Sequence, residues 1–141
     1  MKRPRTVRHI AKAFLVLGLI AACGTPGASE GNKLYRIPTS SWRLGDASLH
    51  ASTVGTLAAG NYRHKWCLWL VGSDSRRIPV VWPAGFRARR HPLELLDPGG
   101  TVVARGGVRI QLTGGLAPAK HGCSTLGQKE AFYAMGYPTA A

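Results

Sequence analysis

The residues that could do chemistry are few. The chain of 141 residues carries six carboxylates (Glu30, Asp46, Asp74, Glu94, Asp97 and Glu130) and five histidines. General acid–base work needs two carboxylates held at a fixed separation. Glu30 stands in a Gly/Pro/Ser-rich stretch, Asp74 and Asp97 stand in turn sequences, and nothing pairs Asp46, Glu94 and Glu130. No Gly-x-Ser-x-Gly elbow presents a serine nucleophile. No phosphate-cradling glycine loop and no histidine pair at helical spacing occurs. The expectation is a protein that is not an enzyme and uses no cofactor. His64 lies three residues before Cys67 and His121 two before Cys123. Those four ligands could surround a zinc ion. His-x-Cys is too tight for the usual chelating turn, so the sequence favours a disulfide between the same two sulfurs, with no metal.

The basic residues are more suggestive. Arg76, Arg77, Arg87, Arg89 and Arg90 flank a short segment holding Trp82 and Phe86. Guanidinium groups beside aromatic faces are how small barrels hold single-stranded nucleic acid or anionic glycans. These seven residues are the candidate ligand-binding set. The competing reading, which composition favours, is a solvated arginine-rich surface over a core that contains Trp82 and Phe86. A third is an electrostatic contact with anionic lipid headgroups.

Charge also marks the N-terminus. Lys and Arg number 19 against 6 Asp and Glu, a formal +13. Five of the basic residues (Lys2, Arg3, Arg5, Arg8 and Lys12) precede residue 13, which leaves 14 against 6, or +8, for the remainder. The apolar run over residues 13–22 is about ten residues, roughly half a bilayer core as a helix. A basic start and a short apolar run are signal-peptide grammar. The run ends Leu19-Ile20-Ala21-Ala22-Cys23-Gly24. This junction resembles the lipobox of bacterial lipoproteins: a branched apolar residue, two small residues, then cysteine. The resemblance implies that residues 1–22 are removed and that Cys23 becomes a lipidated N-terminus, anchored by two or more acyl chains. The localisation implied is the cell envelope, outside the cytoplasm. Gly24 in place of Asp leaves inner and outer membrane both open. In that compartment disulfides persist, and Cys67 and Cys123 are the pair that remains.

The elements that must position these residues are short. Residues 23–41 are rich in Gly, Pro and Ser and read as a lipidated tether, with Tyr35 and Ile37 near enough to the domain to pack on it. Residues 42–141 read as one small domain. Strand signals occur at 49–59 (ended by Gly60-Asn61), 65–71, 78–82, 93–96, 101–105 and 108–112. Residues 65–71 are apolar on both faces, the mark of a covered strand. Pro79 points to an edge or a bulge, and Asp97-Pro98-Gly99-Gly100 to a hairpin. Thr125, Gln128, Gly136 and Pro138 match helix-cap spacing and predict one short helix over 126–135.

Cys67-Leu68-Trp69-Leu70, then Val80-Val81-Trp82-Pro83-x-Gly85, then Leu96-Asp97-x-x-Gly100-x-Val102-Val103-Ala104-Arg105-x-Gly107, then Gly114-Gly115 and a closing Cys123 form a pattern. It resembles that of small secreted or lipid-anchored bacterial proteins with an oligonucleotide/oligosaccharide-binding-like (OB-like) barrel. The resemblance spans Cys67 to Cys123 and implies a mainly β fold, a five- to six-stranded barrel, with no activity to carry over. The functional expectation is a non-enzymatic, membrane-anchored interaction or scaffolding module with an envelope protein as partner. The alternatives are a polyanion-binding barrel and an inhibitor of a hydrolase. Oligomeric state is not legible.

Overall fold

The computed structural model describes residues 30–141. The expected signal peptide, Cys23 and the first part of the tether lie outside the described residues. Strand dominates: β1 (Leu34–Arg36), β2 (Ala51–Tyr62), β3 (Lys65–Val71), β4 (Arg77–Val81), β5 (Arg87–Arg89), β6 (Glu94–Leu96), β7 (Val102–Arg105), β8 (Arg109–Pro118), β9 (Glu130–Ala134) and β10 (Thr139–Ala140). Two 3₁₀ turns, Glu30–Asn32 and Gly122–Ser124, are the helical pieces among the described residues.

The strands form two sheets. One runs β1-β5-β6-β7 and the other β10-β8-β2-β3-β4-β9, with β8 also paired to β9. Pairing is antiparallel except between β4 and β9, where Val80 lies beside Phe132 and Val81 beside Tyr133 in parallel. Side chains alternate across a strand, and both sheets turn one face to a single core. Leu57, Leu68, Leu70, Val80, Ile110, Leu112 and Phe132 enter it from the larger sheet, and Ala88, Leu95 and Ala104 from the smaller. Trp82 and Phe86 lie in the same core, on the chain that crosses between the sheets.

Local chemistry explains most turns. The β2–β3 hairpin closes through Arg63 and His64, both at positive φ (47° and 66°), which is the twist a two-residue loop demands. β2 runs straight through Gly60-Asn61, where the sequence predicts a stop. A Cβ at Gly60 would lie 2.8 Å from the Trp69 ring, so glycine here makes room for the indole. The expected hairpin after β6 is present: Gly100 N–H donates to the Asp97 carbonyl at 3.0 Å, and Thr101 N–H donates to Asp97 Oδ1 at 2.9 Å.

Residues 34–37, within the expected tether, belong to the fold. Tyr35 stacks on Trp66 with ring centroids 4.9 Å apart, and Ile37 is in the core. Pro79 is not on an edge strand: β4 is paired to β3 through Pro79 and gains β9 only from Val80.

The helix expected over 126–135 is absent, and β9 occupies that segment. The cap-like residues build a turn instead. Thr125 Oγ1 donates to the Gly122 carbonyl and accepts from Gly127 N–H, both at 3.3 Å. Leu126 and Gly127 then take positive φ (48° and 84°), which breaks any helical start. β4 and β8 each offer an open edge, and filling both outweighs a modest local helix preference.

Cys67 and Cys123 are bonded, with Cα atoms 5.2 Å apart, and tie β3 to the 3₁₀ turn before β9.

Candidate functional site

A cleft of about 820 Å³ lies at one end of the larger sheet. Its floor is made by inward-facing residues at strand ends: Thr53 of β2, Ile78 of β4, and the cross-strand pair Leu116 and Phe132 of β8 and β9. Leu116 is 65% exposed although it points toward the recess, so the apolar interior is open there. The rim is polar: Asp74, Arg76, Arg77, Gln128, Lys129 and Glu130. Gln128 Nε2 donates to the Arg77 carbonyl at 2.8 Å, which pins the β8–β9 connection against the start of β4. A mainly apolar recess of this size with a few polar groups is the usual form of a ligand site.

One wall of the cleft carries unpaired backbone. Leu57 N–H donates to the Val108 carbonyl at 3.0 Å, and Gly107 N–H donates to the Leu57 carbonyl at 2.9 Å. Backbone groups alternate sides along a strand. Gly55 and Thr53 therefore face β8 as Leu57 does, while Ser52 and Val54 face the other way. On that side β3 ends at Val71, opposite Thr56. Among the described residues no strand is paired to β2 on that side at Ser52 and Val54, and of the two Ser52 lines the cleft.

The arginine–aromatic strip is not one surface. Trp82 is 0% and Phe86 1% exposed, so neither can stack on a ligand, and the expected binding role of these two is corrected to a core role. Phe86 packs on Tyr137 with centroids 5.5 Å apart. Trp82 is held beside Thr39 in a parallel bridge: its N–H donates to the Pro38 carbonyl at 2.9 Å, and its carbonyl accepts from Ser40 N–H at 2.8 Å. The arginines divide accordingly. Arg76 and Arg77 stand on the cleft rim. Arg76 pairs with Asp74 at 3.3 Å, both exposed, a contact worth little in water. The Arg77 guanidinium lies 4.5 Å from the centre of the Trp69 ring. Arg87 and Arg89 are on β5 of the smaller sheet, and Arg90 comes directly after them, exposed.

Four carboxylates have structural partners, Asp74 through Arg76 as above. Glu94 is buried and accepts from Arg89 at 2.6 Å, with Arg105 at 3.5 Å. Asp46 and Asp97 accept backbone amides in turns. Among the described residues no group of three His, Cys, Asp or Glu could hold a metal. The two cysteine sulfurs that zinc would need are bonded to each other.

Sequence reasoning does not find the cleft. Its floor comes from four strands far apart in the chain, and Phe132 falls in the segment expected to be helical. The nearest signal is the apolar alternation of 108–112, which continues to Leu116. Comparison with protein-family models, curated proteins and solved structures returned no match.

Proposed function

We propose that this chain is a non-catalytic binding module held at the cell envelope by lipid on Cys23, and that the cleft takes an extended segment of a partner protein. The observation that carries this is the unpaired edge of β2 at Ser52 and Val54 beside an open apolar floor. An added strand would hydrogen-bond to that edge and drop alternate side chains onto Leu116, Ile78 and Phe132. Affinity would come from the backbone and selectivity from the floor.

The pairing β2-β3-β4-β9-β8, with β8 returning to β2, supports reading these strands as a closed, OB-like barrel. A parallel contact between its third and last strands fits that reading. The meander β5–β7 would then cover the end of the barrel where Trp82 and Phe86 are buried.

The test is a photo-crosslinker placed at Thr53 in the native envelope, with the attachment point in the partner mapped by mass spectrometry. The expected product joins Thr53 to one short extended segment, and Leu116→Arg removes it without unfolding the chain. A crosslink pattern unchanged by Leu116→Arg, or scattered over unrelated proteins, would overturn the reading.

A further inference from the structure

We propose that the outer face of the smaller sheet docks on an anionic lipid surface and so fixes the domain's orientation at the membrane. Directly opposed residues on neighbouring strands share a face. Arg36 of β1 is opposite Arg87 of β5. Leu34 is opposite Arg89, Arg89 is opposite Glu94, and Glu94 is opposite Arg105. The other row, Tyr35, Ala88, Leu95 and Ala104, faces inward, its last three members buried in the core. Four arginines therefore stand on the outer face against one carboxylate, and Glu94 already serves Arg89 and Arg105. Leu96, opposite Arg87 on the same face, is buried like Glu94. Arg87 is half-buried with one donor on the Phe86 carbonyl, so Arg36 and Arg105 are the exposed charges. Among the described residues Arg36 and Arg87 have no carboxylate within salt-bridge distance.

Two like charges directly across a strand pair cost stability. A phosphate group between them would reverse that cost, and arginine's planar fork suits phosphate oxygens. The choice of occupant comes from where the chain leaves the fold. β1 is the edge strand of this face and the first strand among the described residues. Ten residues, 24–33, separate Cys23 from β1, a reach of at most about 35 Å fully extended and shorter because Glu30–Asn32 is a 3₁₀ turn. A lipid on Cys23 thus keeps this face close to the headgroups. Leu34, 52% exposed on the same face, adds an apolar contact next to the tether. This proposal rests on the envelope-anchored part of the proposed function and not on the cleft.

The test uses the full chain purified from the envelope and placed on phosphatidylcholine vesicles with and without phosphatidylglycerol. Arginines are modified with phenylglyoxal and read peptide by peptide. On anionic vesicles Arg36, Arg87 and Arg105 should be protected, and high salt should remove the protection. Arg63 and Arg76 should react equally on both vesicles. Replacing Arg36, Arg87 and Arg105 by Gln should lower the anionic increment in binding by about fivefold per arginine. Equal protection on neutral and anionic vesicles would overturn the proposal, as would protection moving to Arg76. So would protection by a single-stranded oligonucleotide with none from anionic vesicles. Binding to neutral vesicles reports the lipid on Cys23 alone, so failure of the anchor and failure of the arginine face give different results.

Discussion

Removing the Cys67–Cys123 bridge has a magnitude set by the chain itself. The bonded residues are 56 positions apart. Closing a loop of that length in the unfolded chain is worth about 4 kcal/mol by the chain-entropy argument. For a domain of this size that is a large part of the whole stability. The perturbation should be Cys67→Ala with Cys123→Ala, because Cys67 is 1% exposed and serine would bury a hydroxyl with no assured partner. Thermal unfolding followed by circular dichroism should show the midpoint falling by about 15 °C, and the urea midpoint by about 2–3 M. The urea slope should rise, since the unlinked chain exposes more surface when unfolded. Amide exchange adds a local reading. Residues 122–128, which lead to the Gln128–Arg77 contact on the cleft rim, should lose protection beyond the global change. The reasoning fails if the double variant loses under about 1 kcal/mol with an unchanged slope. In that case the turn built on Thr125 and Gly122 would hold β9 in place without help, and the bridge would add nothing to the unfolded state's constraint.

Three further outcomes are expected. Trp82→Ala should cost about 3–5 kcal/mol as a large buried truncation, but Trp82→Phe should cost far less. The indole Nε1 is buried without a partner, and removing such a donor recovers about 1–3 kcal/mol; equal losses in urea titrations of the two variants would show that Nε1 is satisfied. Gly114→Ala should destabilise severely and free β9, because a Cβ there would collide with the Tyr133 carbonyl of the neighbouring strand; amide exchange of Ala131–Ala134 that stays slow would contradict this. Intact-mass analysis of the protein from its native envelope should give a chain beginning at an acylated Cys23, and an unmodified Met1 or a cleavage elsewhere would remove the anchor reading.

What is legible in the sequence is the chemistry that acts over a few residues. Asp97-Pro98-Gly99-Gly100 dictates its turn whatever surrounds it, and residues 65–71, apolar on both faces, sit in the middle of the larger sheet between β2 and β4. The β2–β3 turn is hidden because Arg63 and His64 are not the residues that usually accept positive φ. The tail is hidden for a different reason. Thr125 and Gln128 have the spacing of a cap, and a cap and a Thr-based turn use the same hydroxyl. Which one forms is decided by the vacant edges of β4 and β8, sites set by residues 52 positions upstream in one case and 12 to 20 in the other. The cleft is illegible for that same reason, since Thr53, Ile78, Leu116 and Phe132 meet only after the strands have paired.

The arginine strip shows why proximity in sequence misleads about a surface. Between Val81 and Arg87 the chain leaves one sheet and enters the other, and a crossing of that kind must pass over the core that both sheets share. The residues on the crossing are apolar because of it: Trp82 and Phe86 are its contribution to the core, and Pro83 is buried beside them. Arginines before the crossing stay with the larger sheet, at a recess with an unpaired strand edge. Arginines after it lie on the smaller sheet, where Arg36 from the far end of the domain joins them by register. Two arginine groups that read as one cluster thus border surfaces with different physics. The first is recessed, largely apolar and lined by free backbone, which suits a peptide. The second is an array of fixed charge on a short sheet beside the tether, which suits a phosphate-rich plane. On the proposed reading the division has a functional consequence, because a domain that rests on lipid through β1 and β5 keeps the β2 edge on a different sheet, free to take a partner.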